Sequence, residues 1–184
     1  AKILHISGIS QAISDSACDA AFAAIEVARQ KGIRVSYDSN LRLSLWPLAR
    51  ARAIIHAAMA MCDIALPSLD DARLLTGLED ADAIADFYLG LGAKIVALKL
   101  GKDGALITTP QMRERIPTFP VEAVDATGAG DTFGGSFLAR LIAGDGVADA
   151  ARYANVAAAL STRGQGAVAP IPCAAQVREA MAAS

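Results

Sequence analysis

Asp125-Ala-Thr-Gly-Ala-Gly-Asp131, running on into Thr132-Phe-Gly-Gly-Ser-Phe-Leu-Ala-Arg-Leu141, sets a carboxylate inside a ring of small residues at the start of a helix. Gly128, Ala129 and Gly130 leave their backbone N–H groups open to approach, so these can converge on an anion. The helix that follows adds unpaired donors and the positive end of its dipole. A carboxylate such as Asp131 competes with a phosphate for those donors and therefore needs a role beyond charge balance. Accepting the proton of an attacking hydroxyl is such a role, and a positioned general base contributes about 10²–10⁴ in rate. The stretch reads as a phosphate site containing a base, with Gly128, Ala129, Gly130 and Asp131 as the catalytic candidates.

Two other readings fit the same letters. Gly128-x-Gly130-x-x-x-Gly134 imitates a glycine-rich dinucleotide turn, although the preceding Pro120-Val-Glu-Ala-Val-Asp125 mixes apolar and acidic positions where such a turn follows an apolar strand. A glycine loop with an aspartate serving only as helix cap is the other. Two aspartates flanking Thr-Gly-Ala-Gly are more than a cap requires.

Outward from this loop, short β-branched runs alternate with helix-length segments: Ile3–Ile6, Ile33–Tyr37, Ile64–Leu66 and Ile95–Leu100. In the first intervening segment Cys18, Phe22 and Ile25 share one face, Asp15, Asp19, Glu26 and Gln30 the other, and Gly32 stops the helix. Such alternation predicts right-handed βαβ units and a mostly parallel sheet. Asp103-Gly104 suggests a tight turn into an antiparallel strand at Ala105–Thr108. Helices are expected from about Gly128 to Ala143, stopped by Gly144, and from about Val147 to Thr162. There is no internal repeat, low-complexity tract or linker, so residues 1–184 are expected to form a single α/β domain.

With 184 residues, 54% of them hydrophobic, the chain can bury a substantial core. Its 17 basic and 19 acidic residues give a net charge of −2 and are dispersed, which leaves no electrostatic footprint for nucleic acid. Cys18, Cys62 and Cys173 have neither a zinc-like nor a disulfide-framework spacing, so inert thiols in a reducing cytoplasm are expected. The longest apolar stretch, Ala53 to Cys62, falls short of a membrane span. No signal peptide is visible.

In an open sheet of this kind ligands collect beyond the carboxyl ends of the strands. Asp38, Asn40 and Arg42 follow the strand ending at Tyr37, and Gly101 and Gly104 follow the strand ending at Leu100, so both clusters are expected to line one crevice with the phosphate loop. Arg42 can hold a carboxylate or phosphoryl group with two parallel hydrogen bonds; an ordinary surface arginine is its plain alternative. The Lys99-to-Gly104 stretch reads equally as a hairpin. Asn155, on an otherwise apolar helix face, needs a partner if buried, and a nucleotide or a backbone carbonyl serves equally well.

Asp125-x-Thr127-Gly-Ala-Gly-Asp131 resembles the C-terminal signature of the ribokinase-like, or phosphofructokinase-B, carbohydrate kinases. Tyr37-Asp-Ser-Asn-Leu-Arg42 with Trp46, Lys99-Leu-Gly-Lys-Asp-Gly-Ala105 and Asn155-Val-Ala-Ala-Ala-Leu-Ser-Thr-Arg-Gly164 fall in the family's order, so the resemblance spans nearly the whole chain. His5-Ile-Ser-Gly-Ile-Ser10 and the Asp-x-Asn-x-Arg run look most similar to the 2-keto-3-deoxygluconate kinases within it. The glycine-rich sugar motif and small β-sheet lid of the family's first part do not appear, and the chain is expected to be the C-terminal part of such a kinase.

The resemblance implies a Rossmann-type three-layer αβα fold and ATP-dependent phosphorylation of a sugar-acid hydroxyl, with 2-keto-3-deoxygluconate going to its 6-phosphate. Another sugar or nucleoside acceptor, or a non-catalytic nucleotide-binding fragment, is the alternative. It further implies Asp131 and Arg42 on the substrate, and Asn40, Arg42, Lys99, Gly101, Gly104, Gly128, Ala129, Gly130 and Asn155 on ATP. Asp125 and Thr127 match positions that hold a monovalent cation, K⁺, in some relatives, although a structural hydrogen bond explains them as well. Where the family carries Asn-x-x-Glu for a divalent metal this chain has Ser68-Leu-Asp-Asp71, which weakens a metal role there and leaves Mg²⁺ as the nucleotide's counterion. Neither a nucleic-acid nor a membrane partner is implied; a homo-oligomer would form through the lid.

Overall fold

In the computed structural model, which describes residues 1–183, a six-stranded sheet takes its strands in sequence order within a three-layer α/β arrangement. The chain divides into two compact units, Ala1–Lys99 with Thr108–Arg113, and Leu100–Ile107 with the segment from Glu114 onward.

The first unit holds β1 (Ile3–Ser7), β2 (Arg34–Asp38), β3 (Ile64–Ala65) and β4 (Ile95–Lys99), all parallel. The register sets Ser7 opposite Asp38 and Tyr37 opposite Ala65, so the carboxyl ends of these strands are brought level. Val35, Tyr37, Ile64, Ala65, Val96, Ala97 and Leu98 are all buried, the near-continuous apolar run of strands covered on both faces. The crossovers are α2 (Asp15–Gln30), preceded by the single turn α1 (Gly8–Ala12); α3 (Leu48–Met59); and α4 (Leu69–Thr76) with α5 (Ala81–Leu91). As expected, α2 buries Cys18 and Ile25, and Ala21 and Ala28 complete its stripe. The segment between β3 and β4 forms two helices, because Gly77 ends α4 in a left-handed conformation (φ 77°) and the Asp80 side chain starts α5 by accepting from the Ala83 N–H.

After β4 the expected two-residue turn is a 3-10 turn, Gly101–Asp103, leading to β5 (Ala105–Thr109) and then β6 (Met112–Ile116). Each connection is too short for a parallel crossover. In the second unit α6 (Ala129–Ala143), α7 (Val147–Ser161) and α8 (Ala174–Ala182) pack together. Phe133 and Phe137 stack at 5.9 Å within α6, Val177 of α8 closes on Val156 and Ala157 of α7, and the Arg140 guanidinium lies 5.2 Å over the Tyr153 ring. Cys18 and Cys62 are buried, and Cys173 is exposed. No helix among the described residues is long and apolar enough to cross a membrane.

Candidate active site

The phosphate loop is built by backbone conformation. Gly128 is the N-cap of α6 at φ 77°, a left-handed value that side chains resist. A Cβ there would sit 2.9 Å from the Ala167 side chain, so the segment after α7 lies directly against the glycine. Ala129 donates its N–H to Ala126 and Thr132 donates to Gly128, whereas the N–H groups of Gly130 and Asp131 have no intrachain acceptor among the described residues. Asp131 occupies the first turn of α6 with its side chain exposed. Two open donors and an accessible carboxylate thus share one helix terminus.

Asp125 fastens this loop. One carboxylate oxygen accepts from the Thr127 N–H (2.9 Å) and hydroxyl (2.6 Å), the other from the Gly166 N–H (2.9 Å). The Thr127 hydroxyl, then the two N–H groups, hold the acid down at about 2, so it is ionised at any working pH. Val124 and Asp125 also donate their N–H groups to the Thr162 carbonyl at 2.7 and 3.0 Å. The structural hydrogen bond weighed for Asp125 and Thr127 is therefore present. The part played by Thr162, Gly166 and Ala167 was not foreseen; Gly164-x-Gly166 was the available signal.

The loop after β2 is built differently, from buried side chains. Asp38 is 4% exposed and receives Lys99 Nζ at 2.5 Å and the Asn40 N–H at 3.1 Å. Asn40 takes φ 34°, left-handed for a residue that tolerates it. Asp71 Oδ2 accepts both the Ser39 hydroxyl and the Leu41 N–H at 3.0 Å, and Arg42 Nη1 donates to the Leu41 carbonyl at 2.8 Å. Beneath, Gly8 approaches so closely that a Cβ would stand 2.1 Å from the Ser39 carbonyl oxygen, and Tyr37 donates its hydroxyl to Gln11 at 2.5 Å. Arg42 is exposed and uses one guanidinium nitrogen on the backbone. Asp38, Asn40, Arg42 and Lys99 are thus brought together, with the Lys99 ammonium engaged by Asp38.

In the turn after β4 Gly101 and Gly104 have φ of 61° and 90°, and the Leu100 N–H donates to the Gly104 carbonyl at 2.8 Å. A Cβ on Gly104 would meet the Ile116 carbonyl oxygen at 2.1 Å. Asn155, 5% exposed, donates its amide to the Ile116 and Pro117 carbonyls at 3.0 and 3.1 Å. Of the two partners weighed for it, the backbone carbonyls are the ones it has. Among the described residues no cluster of His, Cys, Asp or Glu could hold a metal ion.

A sequence model of the pfkB family of carbohydrate kinases matches residues 1–174. The chain belongs to that family. It is 33% identical to the 2-dehydro-3-deoxygluconokinase of Bacillus subtilis (strain 168) over 171 residues, 92% of this chain and 53% of the relative. It is also 33% identical to a probable fructokinase-5 of Arabidopsis thaliana, across 98% of this chain and 58% of that one. A ribokinase of Staphylococcus aureus (strain COL) reaches 31%, across 87% and 52%. Among solved structures, a putative ribokinase II of E. coli in complex with ATP and Mg²⁺ superposes with a TM-score of 0.92 at 28% identity, covering all of this chain and 59% of that one. The chain spans about half the length of the curated relatives it matches.

Proposed function

We propose that this pfkB-family chain takes part in ATP-dependent phosphorylation of a sugar-acid hydroxyl, with 2-keto-3-deoxygluconate converted to its 6-phosphate. The observation that carries the reading is the start of α6, where the unpaired N–H groups of Gly130 and Asp131 adjoin the exposed Asp131 carboxylate. In this reaction Asp131 accepts the acceptor's hydroxyl proton as the hydroxyl oxygen bonds to the γ-phosphorus, and the bond from that phosphorus to the β,γ-bridging oxygen breaks to release ADP. The open N–H groups of Gly130 and Asp131, in the loop shaped by Gly128 and Ala129, stabilise the phosphate charge. Arg42, with guanidinium donors to spare, holds the acid group. Gly101 offers backbone without side-chain obstruction to the nucleoside, while Gly104 and Asn155 hold the turn after β4 against the Ile116 backbone and Lys99 and Asn40 hold the loop after β2 in shape. Magnesium arriving with ATP would neutralise phosphate charge beside the Gly130 and Asp131 N–H groups. The ionised Asp125 carboxylate fits a monovalent cation, since its oxygens retain lone pairs beyond the three donors they accept.

Fructokinases and a ribokinase match as well as the keto-deoxy-acid kinase does, which favours a neutral sugar as the second reading. The test is ADP release by the full-length protein with Mg-ATP and 2-keto-3-deoxygluconate, with fructose, ribose and adenosine alongside. Selective turnover of the acid supports the first reading, and selective turnover of a neutral acceptor replaces it with the second. Nucleotide binding without transfer to any of them overturns both.

A further inference from the structure

Ser68-Leu-Asp-Asp71 opens α4 in the pattern of a reciprocal helix cap, in which the acid three residues on reaches back to the cap backbone. Only half of that cap is made: Ser68 Oγ accepts from the Asp71 N–H at 3.3 Å. The Asp71 carboxylate instead crosses to the loop after β2, where Oδ2 accepts from Ser39 Oγ and from the Leu41 N–H, each at 3.0 Å. Leu41 is thereby gripped at both its peptide groups. Its N–H goes to Asp71 and its carbonyl receives Arg42, while Asn40 just before it holds a left-handed φ of 34°. Asp38 fixes the loop only as far as the Asn40 N–H. Ser39 is fully buried and cannot move away, since Gly8 backs directly onto its carbonyl. Beyond Asn40 the chain is tied by the Asp71 carboxylate, by the buried Leu41 side chain and by the Leu45 N–H donating to the Arg42 carbonyl at 3.0 Å, and of these only Asp71 comes from α4 to set the direction of the chain at Leu41, from which the Arg42 guanidinium projects.

We propose that Asp71 is a positioning residue that sets how Arg42 is presented to the acceptor. This rests on the reading of Arg42 as the group that holds the acceptor. The Asp71 carboxylate accepts two hydrogen bonds at the point where the loop would otherwise relax toward an ordinary φ at Asn40. Its effect on catalysis passes through Arg42 and leaves the phosphate loop alone.

The test is a double-mutant cycle between positions 71 and 42 in the full-length protein, read in KM and kcat with the acceptor the wild type prefers. Asp71→Ala is expected to raise the acceptor KM about tenfold, the loss that follows removal of a hydrogen bond to a charged acceptor. The kcat and the Mg²⁺ requirement stay within about twofold of the wild type, and the KM for ATP changes less than that for the acceptor. Asp71→Asn, whose amide oxygen still accepts both bonds, recovers most of the loss. In an Arg42→Ala background neither change has a further effect on acceptor KM, because the two residues act as one unit. An equal effect with and without Arg42 overturns the proposal, as does a raised Mg²⁺ requirement, which would make Asp71 a metal-side residue. If Asp71→Ala does not fold, the Asp71→Asn and Arg42→Ala pair carries the same cycle, a residual KM shift of about threefold or less vanishing without Arg42. A wild type that uses only neutral acceptors defeats the acid-holding role of Arg42 by itself. Coupling between 71 and 42 in the KM of the sugar it does accept then still sustains the positioning role, and additivity overturns it.

Discussion

The loop after β2 and the loop before α6 both present polar groups beyond a secondary-structure end, and they are held by opposite means. Between Asp38 and Arg42 the chain is fixed by two carboxylates, the buried Asp38 paired with Lys99 and the half-buried Asp71 reaching in from α4. Between Asp125 and Asp131 it is fixed by a left-handed glycine and a half-buried carboxylate that accepts backbone and hydroxyl donors. The first arrangement orients a side chain, which requires the backbone beneath it to be over-determined. The second leaves N–H groups open for an anion, which requires that side chains stay out of the way. Changes in the first loop should therefore show mainly as stability and acceptor binding, and changes in the second as turnover.

The largest effect is expected at Asp131. Asp131→Asn keeps the size and the open N–H groups but cannot take a proton, so kcat should fall by about 10²-fold or more with nucleotide affinity nearly intact. Single-turnover ADP release with parallel nucleotide titration measures it, and an unchanged kcat would sink the base assignment. The corresponding blow to the first loop is Lys99→Met, which strands the Asp38 carboxylate at 4% exposure. Breaking a buried pair from one side costs about 3–5 kcal/mol, to be read as a drop in the urea midpoint at constant m. Asp38→Asn together with Lys99→Met should recover most of it; a double variant no better than the single one would contradict a buried pair.

Conformational strain separates the loops on a smaller scale. Gly128→Ala at φ 77° should cost about 1–2 kcal/mol for the left-handed backbone and also weaken ATP binding, because the new Cβ presses on Ala167 at 2.9 Å. Asn40→Gly, also left-handed, should stay within about 0.5 kcal/mol of the wild type. Thermal melts with and without ATP check both. Equal losses would mean that glycine is no more required in the phosphate loop than elsewhere.

The same contrast explains what was legible in the letters. A loop made by glycine conformation is written locally, so Asp125 to Asp131 and the start of α6 could be read directly. The half-buried strand β1 and the buried strands β2 to β4 were legible through their β-branched runs, and α2 through its faces. β6 was not, because Met112-Arg-Glu-Arg-Ile116 is charged and half exposed, with no apolar alternation to mark it. Nor was α8, whose Ala174–Ala182 buries only Val177. The first loop was only half legible. Asp38, Asn40 and Arg42 stand out by type, but Lys99 lies 61 residues from Asp38, and Asp71 lies 32 and 30 residues from Ser39 and Leu41. Spacing along the chain carries no trace of such pairs, and Ser68-x-x-Asp71 points locally to a cap that the fold uses for something else.

The smallest effect is one of pH, and it divides the two regions by the acid each tolerates. In the first unit His56 of α3 lies against Phe87 and Tyr88 of α5, ring centres 5.0 and 6.1 Å away, with Nε2 buried and unpartnered. Burial, aided by the Arg52 charge, holds this imidazole below its usual range. The unfolded chain therefore binds the proton more readily than the folded one, so stability falls as pH drops below about 6.5 and levels off once the folded histidine is charged. Asp125 has the same sign in a lower window: its depressed pKa contributes stability that is full above the ordinary carboxylate range and is lost as pH falls through about 2. Between pH 6.5 and 5 the urea midpoint should thus decline in the wild type. His56→Phe, which keeps the ring packing without the titration, should flatten that decline, and Asp125→Asn should lower the midpoint by the same small amount at every pH in the window. A decline that survives His56→Phe would place the acid sensitivity outside the α3–α5 layer.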